Sequence, residues 1–170
     1  MDAARAAAEK LITEHGCTSV INAGVCGALN NRLERGGVYR VSMVSTENLK
    51  AAVNVGIGIG LKKLVTVEEP VFQSERKREL AKHGDLVDME GYAVARVCEE
   101  HDVPCILIKG VTDFGDGNGK DDIQKHIAPR HLKHNLENSL HLRLYKEIKL
   151  LHPSHPKTIP INWLRRAQTW

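Results

Sequence analysis

The chain has 170 residues, 42% of them hydrophobic and 26% charged, with a formal net charge of +3. That balance fits one compact domain with a buried core. It excludes a membrane partner, because no apolar run approaches the roughly 18 residues of a span, and a charge this small gives no ground for a nucleic-acid partner.

Residues 1–15 contain no continuous apolar core of the signal-peptide kind. Four cysteines at 17, 26, 98 and 105 form no CxxC pair and lie mostly in or beside apolar segments. Reduced, buried thiols in a cytoplasmic protein are therefore expected.

In chain order, Ala4, Ala7, Ala8, Leu11 and Ile12 share one face and predict a helix over 3–15, stopped by Gly16. Residues 19–23 predict a strand that breaks into a small-residue loop over 24–28 (Gly24-Val25-Cys26-Gly27-Ala28), where backbone can approach a ligand or another strand. A further strand is predicted over 38–44. Residues 49–64 remain ambiguous, their alanines favouring a helix and their three glycines opposing one. A strand over 64–67 ends at Glu68-Glu69-Pro70, and a charged, exposed helix over 73–83 follows, with Ser74 as N-cap.

Residues 86–89 predict a strand, 90–101 a helix with Ala93, Val94, Val97 and Cys98 on its inner side, and 103–111 a strand that is apolar except for Lys109. Together they read as a strand–helix–strand unit with parallel strands. Residues 121–151 predict a long final helix with a break near Pro129, ending a domain over 1–151; a basic tail with three prolines and two tryptophans fills 152–170. The alternation of elements predicts a single α/β domain with a mainly parallel central sheet flanked by helices.

In open α/β sheets ligands bind beyond the carboxyl ends of the strands. The Gly24 loop, Met89-Glu90 and Thr112-Asp113 all fall on that edge in this reading. The residues alone allow two interpretations. Glu90 and Asp113 could be helix-end and loop caps, or working carboxylates suited to a small polar molecule with vicinal hydroxyls. Other motifs carry no chemistry. Gly56, Gly58 and Gly60 lack the spacing of a dinucleotide loop. His126, His131, His134 and His141 have no completing ligand set, so no metal is expected. Glu68 and Glu69, adjacent in a strand, face opposite ways.

The stretches INAGVCGAL (21–29), VDMEGYAVARVCEEHDVPC (87–105) and LIKGVTDFGD (107–116) resemble the nucleoside phosphorylase superfamily, most of all its methylthioadenosine/S-adenosylhomocysteine nucleosidase branch, in the right order from about residue 3 to residue 151. The resemblance implies that Glu90 grips the ribose hydroxyls, Met89 packs on the sugar, and Asp113 is the general acid that protonates the purine at N7. It places Phe72 over the base, Gly24 and Val25 beside the ribose and the attacking water or phosphate, and Thr112 and Lys109 among the substrate-binding residues. Val25 stands where relatives often carry serine, and Lys109 where many carry arginine.

The activity so implied is cleavage of the N-glycosidic bond of adenosine-type purine nucleosides, by hydrolysis or phosphorolysis, with no cofactor and with phosphate as an optional co-substrate. A nucleoside-binding or regulatory module without activity is the alternative. Relative to the family pattern the resemblance begins late, without the first strands and the acidic or phosphate-binding loop. A sheet lacking those strands exposes edge and apolar surface, so a homo-oligomer, dimer or higher, is expected.

The chemistry agrees with these roles. Cleavage makes the sugar cation-like and leaves electrons on the purine, so protonating the leaving base lowers the barrier. An aspartate donates that proton only where burial keeps it neutral, whereas an ionised glutamate accepts from both hydroxyls and favours the cation.

Overall fold

The computed structural model describes residues 1–56, 58, 61–114 and 138. Its elements are α1 (Asp2–Thr13), β1 (Val20–Ala28), β2 (Val38–Thr46), β3 (Ala52–Asn54), β4 (Lys62–Thr66), α2 (Ser74–Leu80), β5 (Leu86–Asp88), α3 (Gly91–Glu100) and β6 (Cys105–Asp113). The expected final helix and the tail over 152–170 lie outside the described residues, as do three positions of the 56–60 glycine run; Asn138 is the exception. No helix among the described residues is long and apolar enough to cross a membrane.

The six strands form one mixed sheet in the order β3-β2-β4-β5-β1-β6, and β2 also pairs with β6, which closes the sheet into a ring. The length of β2 permits this closure. Val38–Arg40 run antiparallel to β6, opposite Gly110–Ile108, while the strand from Val41 onwards runs parallel to β4. The two longest ladders, β1–β6 and β2–β4, are parallel. Val41, Val44, Leu64, Leu86, Leu107 and Val111 of the ring strands are all almost fully buried and belong to one core cluster, which Val53 of β3 and Ala95 of α3 complete. On one side α3 presents Val94, Val97 and Cys98 to Ala8 of α1 and to Val20, as its apolar spacing requires.

Four sequence expectations change. Residues 24–28 are not a loop: β1 continues to Ala28, and Gly24 and Val25 sit mid-strand opposite Lys109 and Gly110. Glycine within a strand marks close approach of a neighbour rather than a break, and here the neighbours are side chains of β6. Second, β5 and β6 are not parallel, since β5 is antiparallel to β1 and β1 is parallel to β6. β5 meets β1 only beyond the irregularity between Cys26 and Gly27, where a bulge bends the strand, and apolar runs reveal strands but not their direction. Third, Gln73 rather than Ser74 is the N-cap of α2. Fourth, the ambiguous 49–64 region yields the short β3 and the start of β4, with no helix among its described residues.

Candidate functional site

The middle of β6 and the end of β5, just before α3, are tied together by a buried charged pair. Lys109 Nζ lies 2.7 Å from Asp88 Oδ2, the two side chains being 2% and 1% exposed. Asp88 makes two further bonds: Thr66 Oγ1 donates to its Oδ1 at 2.7 Å, and the Gly91 N–H donates to its Oδ2 at 2.9 Å. Thr66 Oγ1 in turn accepts the Tyr92 N–H at 2.9 Å. Asp88 and Thr66 thereby satisfy the first two amide groups of α3, which a helix leaves without internal partners.

That arrangement decides what Glu90 is not. Glu90 occupies the N-cap position of α3, yet its side chain makes no capping bond; the capping is done by Asp88 and Thr66. Its carboxylate stands at the surface within electrostatic reach of Asp88 and Lys109. Although the residue is exposed, the carboxyl is raised above its ordinary value, first by desolvation and next by the Asp88 charge, with Lys109 acting in the opposite sense.

Asp113 ends β6 opposite Gly27 and is 8% exposed. A Cβ on Gly27 would stand 3.1 Å from Asp113 Oδ1 and 3.0 Å from Val87 Cγ1, so the glycine is what lets the carboxyl lie against β1. Thr112 Oγ1 is 2.9 Å from Asp113 Oδ2 and 3.3 Å from the Cys26 carbonyl. Cys26, buried below, senses the charges of Lys109, Asp88 and Asp113, and burial pushes its thiol far up, out of reach of ionisation. Asp113 thus lies within electrostatic reach of Cys26, and Glu90 within reach of Asp88 and Lys109.

The remaining expected residues distribute unevenly. Met89 packs on the cluster that contains Val67, Val71 and Leu80, which brings it to the loop bearing the half-buried Phe72. Lys109 is turned inward to Asp88, with Gly24 beside it: a Cβ there would lie 3.7 Å from Nζ. Gly24 and Val25 are thus level with Lys109, and it is Gly27 that meets Asp113. Beyond Asp113, the Phe114 ring has the Arg35 guanidinium 5.3 Å and the Lys77 ammonium 5.6 Å from its centroid.

Asp88, Thr66 and Gly27 escaped the sequence reading. A signal for the first existed: Asp88 and Lys109 are lone opposite charges in two apolar runs, and a charge buried in a strand needs a partner.

A family model described as the phosphorylase superfamily matches residues 44–137. The chain is 41% identical over 54 residues to an ATP nucleosidase, Cap17, of Escherichia coli, covering 32% of this chain and 10% of that protein. It is 38% identical over 85 residues to a 5′-methylthioadenosine/S-adenosylhomocysteine nucleosidase of Arabidopsis thaliana, covering 48% of this chain and 32% of the relative. The chain thus spans a third or less of the length of these two curated relatives. The crystal structure of the Helicobacter pylori 5′-methylthioadenosine/S-adenosylhomocysteine nucleosidase superposes with a TM-score of 0.70 at 17% identity, over 81% of this chain and 73% of that one. At that identity the likeness is one of fold.

Proposed function

The chain belongs to the phosphorylase superfamily, and on that premise we propose that it cleaves the N-glycosidic bond of adenosine-type purine nucleosides, methylthioadenosine among them, with water or phosphate as the attacking group. Asp113 protonates the departing purine and Glu90 holds the ribose hydroxyls. Met89 packs on the sugar and Phe72 on the base, while Gly24 and Val25 border the ribose. Thr112 and Lys109 serve the site through Asp113 and Asp88. No cofactor takes part; phosphate enters only as a co-substrate.

The observation that carries this reading is the placement of Thr112 Oγ1 between the Asp113 carboxyl and the Cys26 carbonyl, at 2.9 and 3.3 Å. A hydroxyl has one proton to donate. In the shorter contact that proton goes to Asp113 Oδ2, and the bond fixes the carboxyl at the end of β6. A general acid must be held in a fixed position facing the leaving group. Glu90 must be ionised, and its position at the surface, with Lys109 in range and its capping duty taken by Asp88, supports an ionised carboxylate available for hydroxyl groups.

The direct experiment incubates the chain with methylthioadenosine, S-adenosylhomocysteine and adenosine, with and without phosphate, and follows free adenine and the sugar product by chromatography. Adenine release supports the reading, and the sugar or sugar phosphate identifies the nucleophile. Nucleoside binding with no release under either condition contradicts it. The reading extends to a cytoplasmic homo-oligomer, dimer or higher, in which residues 152–170 form an appended basic tail; light scattering tests the assembly.

A further inference from the structure

Lys77 stands where α2 turns its inner side to the fold. It precedes Leu80 by one helical turn, and these two are the buried residues of that helix. Lys77 is 8% exposed, while Arg78 and Glu79 next to it face solvent. A leucine or methionine would fill such a position at lower cost, because an ammonium loses its water on burial and needs an anion in return. No carboxylate pairs with Lys77 among the described residues. Its Nζ donates to Asn31 Oδ1 at 2.9 Å and stands 5.6 Å from the centroid of the Phe114 ring. An ammonium carries three protons, so a neutral amide oxygen and a ring leave donor capacity unused.

The neighbouring loop is fixed against the end of β6. At its start the Leu29 and Asn30 N–H groups donate to the Asp85 carbonyl at 2.8 and 3.3 Å. At its end the Gly36 N–H donates to the Val111 carbonyl at 2.8 Å, and the Val111 N–H to the Gly37 carbonyl at 2.9 Å. The loop thus returns to β6 two residues before Asp113. Its Arg35 guanidinium lies 5.3 Å from the same Phe114 centroid, so two cations approach one ring beside Asp113. Asn31 is exposed, which leaves this group of side chains open to solvent.

We propose that Lys77, Asn31 and Arg35 form an oxyanion subsite beside Asp113 that takes a phosphate group, with Lys77 as its anchor. Phosphate supplies what the ammonium lacks, a full negative charge with several strong acceptors, and it suits a guanidinium equally well. The subsite is separate from the edge assigned to the attacking group. Gly24 and Val25 pair with Lys109 and Gly110, and Phe114 lies four residues beyond Gly110, roughly 13 Å along an extended chain. The phosphate is therefore either carried by the nucleoside or a free ion held apart from the attacking position. Placing it on the nucleoside rests on the proposed cleavage; the anion site itself does not.

Calorimetry on the full chain compares inorganic phosphate, adenosine monophosphate and adenosine in wild type, Lys77→Met and Asn31→Asp. The first variant removes the charge at similar volume. The second sets an internal carboxylate against Lys77 Nζ from an exposed position, and it carries the test where the methionine variant fails to fold. The expected result is binding of phosphate, or tighter binding of the monophosphate than of adenosine, that falls by about 10-fold or more in the variants, as for a lost hydrogen bond to a charged group, with adenosine affinity unchanged. A gain for the monophosphate over adenosine puts the group on the nucleoside, and phosphate binding without that gain makes it a free ion. The subsite is overturned if neither phosphate compound shows binding that depends on Lys77 or Asn31, or if the variants lose adenosine affinity equally. Phosphate binding with no adenine release from any nucleoside contradicts the proposed cleavage and leaves the subsite standing; adenine release with phosphate affinities unaltered in the variants does the reverse.

Discussion

Asp88 and Lys109 meet at 2.7 Å with both side chains buried, and the same carboxylate also receives Thr66 and the first amide of α3. A charge buried with this many donors is costly to create and more costly to break, because removing one partner strands the other. The pair thus links barrel stability to the seating of the helix on which Glu90 rests.

Asp88→Ala should lower stability by about 3–5 kcal/mol, the range for uncovering a buried charge, measured by urea unfolding. Adding Lys109→Met should recover part of that loss, since the stranded ammonium is then gone. Unchanged unfolding in the single variant would contradict the buried-pair account.

Glu90 gives a pH prediction with a definite sign. Its carboxyl is raised above 4.5 by desolvation, then by Asp88. A raised acid contributes stability below the unfolded value, and that contribution is lost as pH rises through the folded one. At neutral pH the ionised carboxylate is therefore a cost to folding. Glu90→Gln should melt no lower than wild type at neutral pH while binding nucleoside more weakly. Wild-type nucleoside binding should weaken as acidification neutralises the carboxyl, starting at a higher pH than for an ordinary glutamate. Calorimetry checks affinity and thermal scans check stability.

Thr112→Val removes the hydroxyl that donates to Asp113 Oδ2. A carboxylate that loses a donor ionises less readily, so the alkaline limb of the cleavage profile should move to higher pH, with Thr112→Ser restoring the wild-type profile. An unmoved limb would contradict this role for Thr112.

Gly27→Ala places a methyl group 3.1 Å from Asp113 Oδ1 and 3.0 Å from Val87 Cγ1. Displacement of the acid by a fraction of an ångström should reduce turnover by about 10- to 100-fold, with a smaller change in nucleoside affinity. Steady-state kinetics separate the two.

The sequence made element types readable wherever apolar spacing ran long enough, as in α1, α3 and β6. Glu90 and Asp113 were singled out by the 87–105 and 107–116 motifs that surround them, through the resemblance those motifs carry. Other features depended on contacts between distant segments. Gly24–Ala28 looks like a loop when its glycines are read for flexibility, yet it is strand because β6 side chains require the space above it. The direction of β5 and the closure of β2 onto β6 are set by pairing partners that no local window contains. Asp88 was overshadowed by its neighbour Glu90, although in the structure Asp88 has the capping bond and Glu90 does not.

The central claim is that Asp113 delivers the proton to the leaving purine, and Asp113→Asn tests it most directly. Single-turnover adenine release and nucleoside affinity should be measured on the same protein preparation. The account predicts that release falls by at least about 100-fold, as expected when a general acid is removed, while affinity changes little. Release at the wild-type rate in the asparagine variant would contradict it.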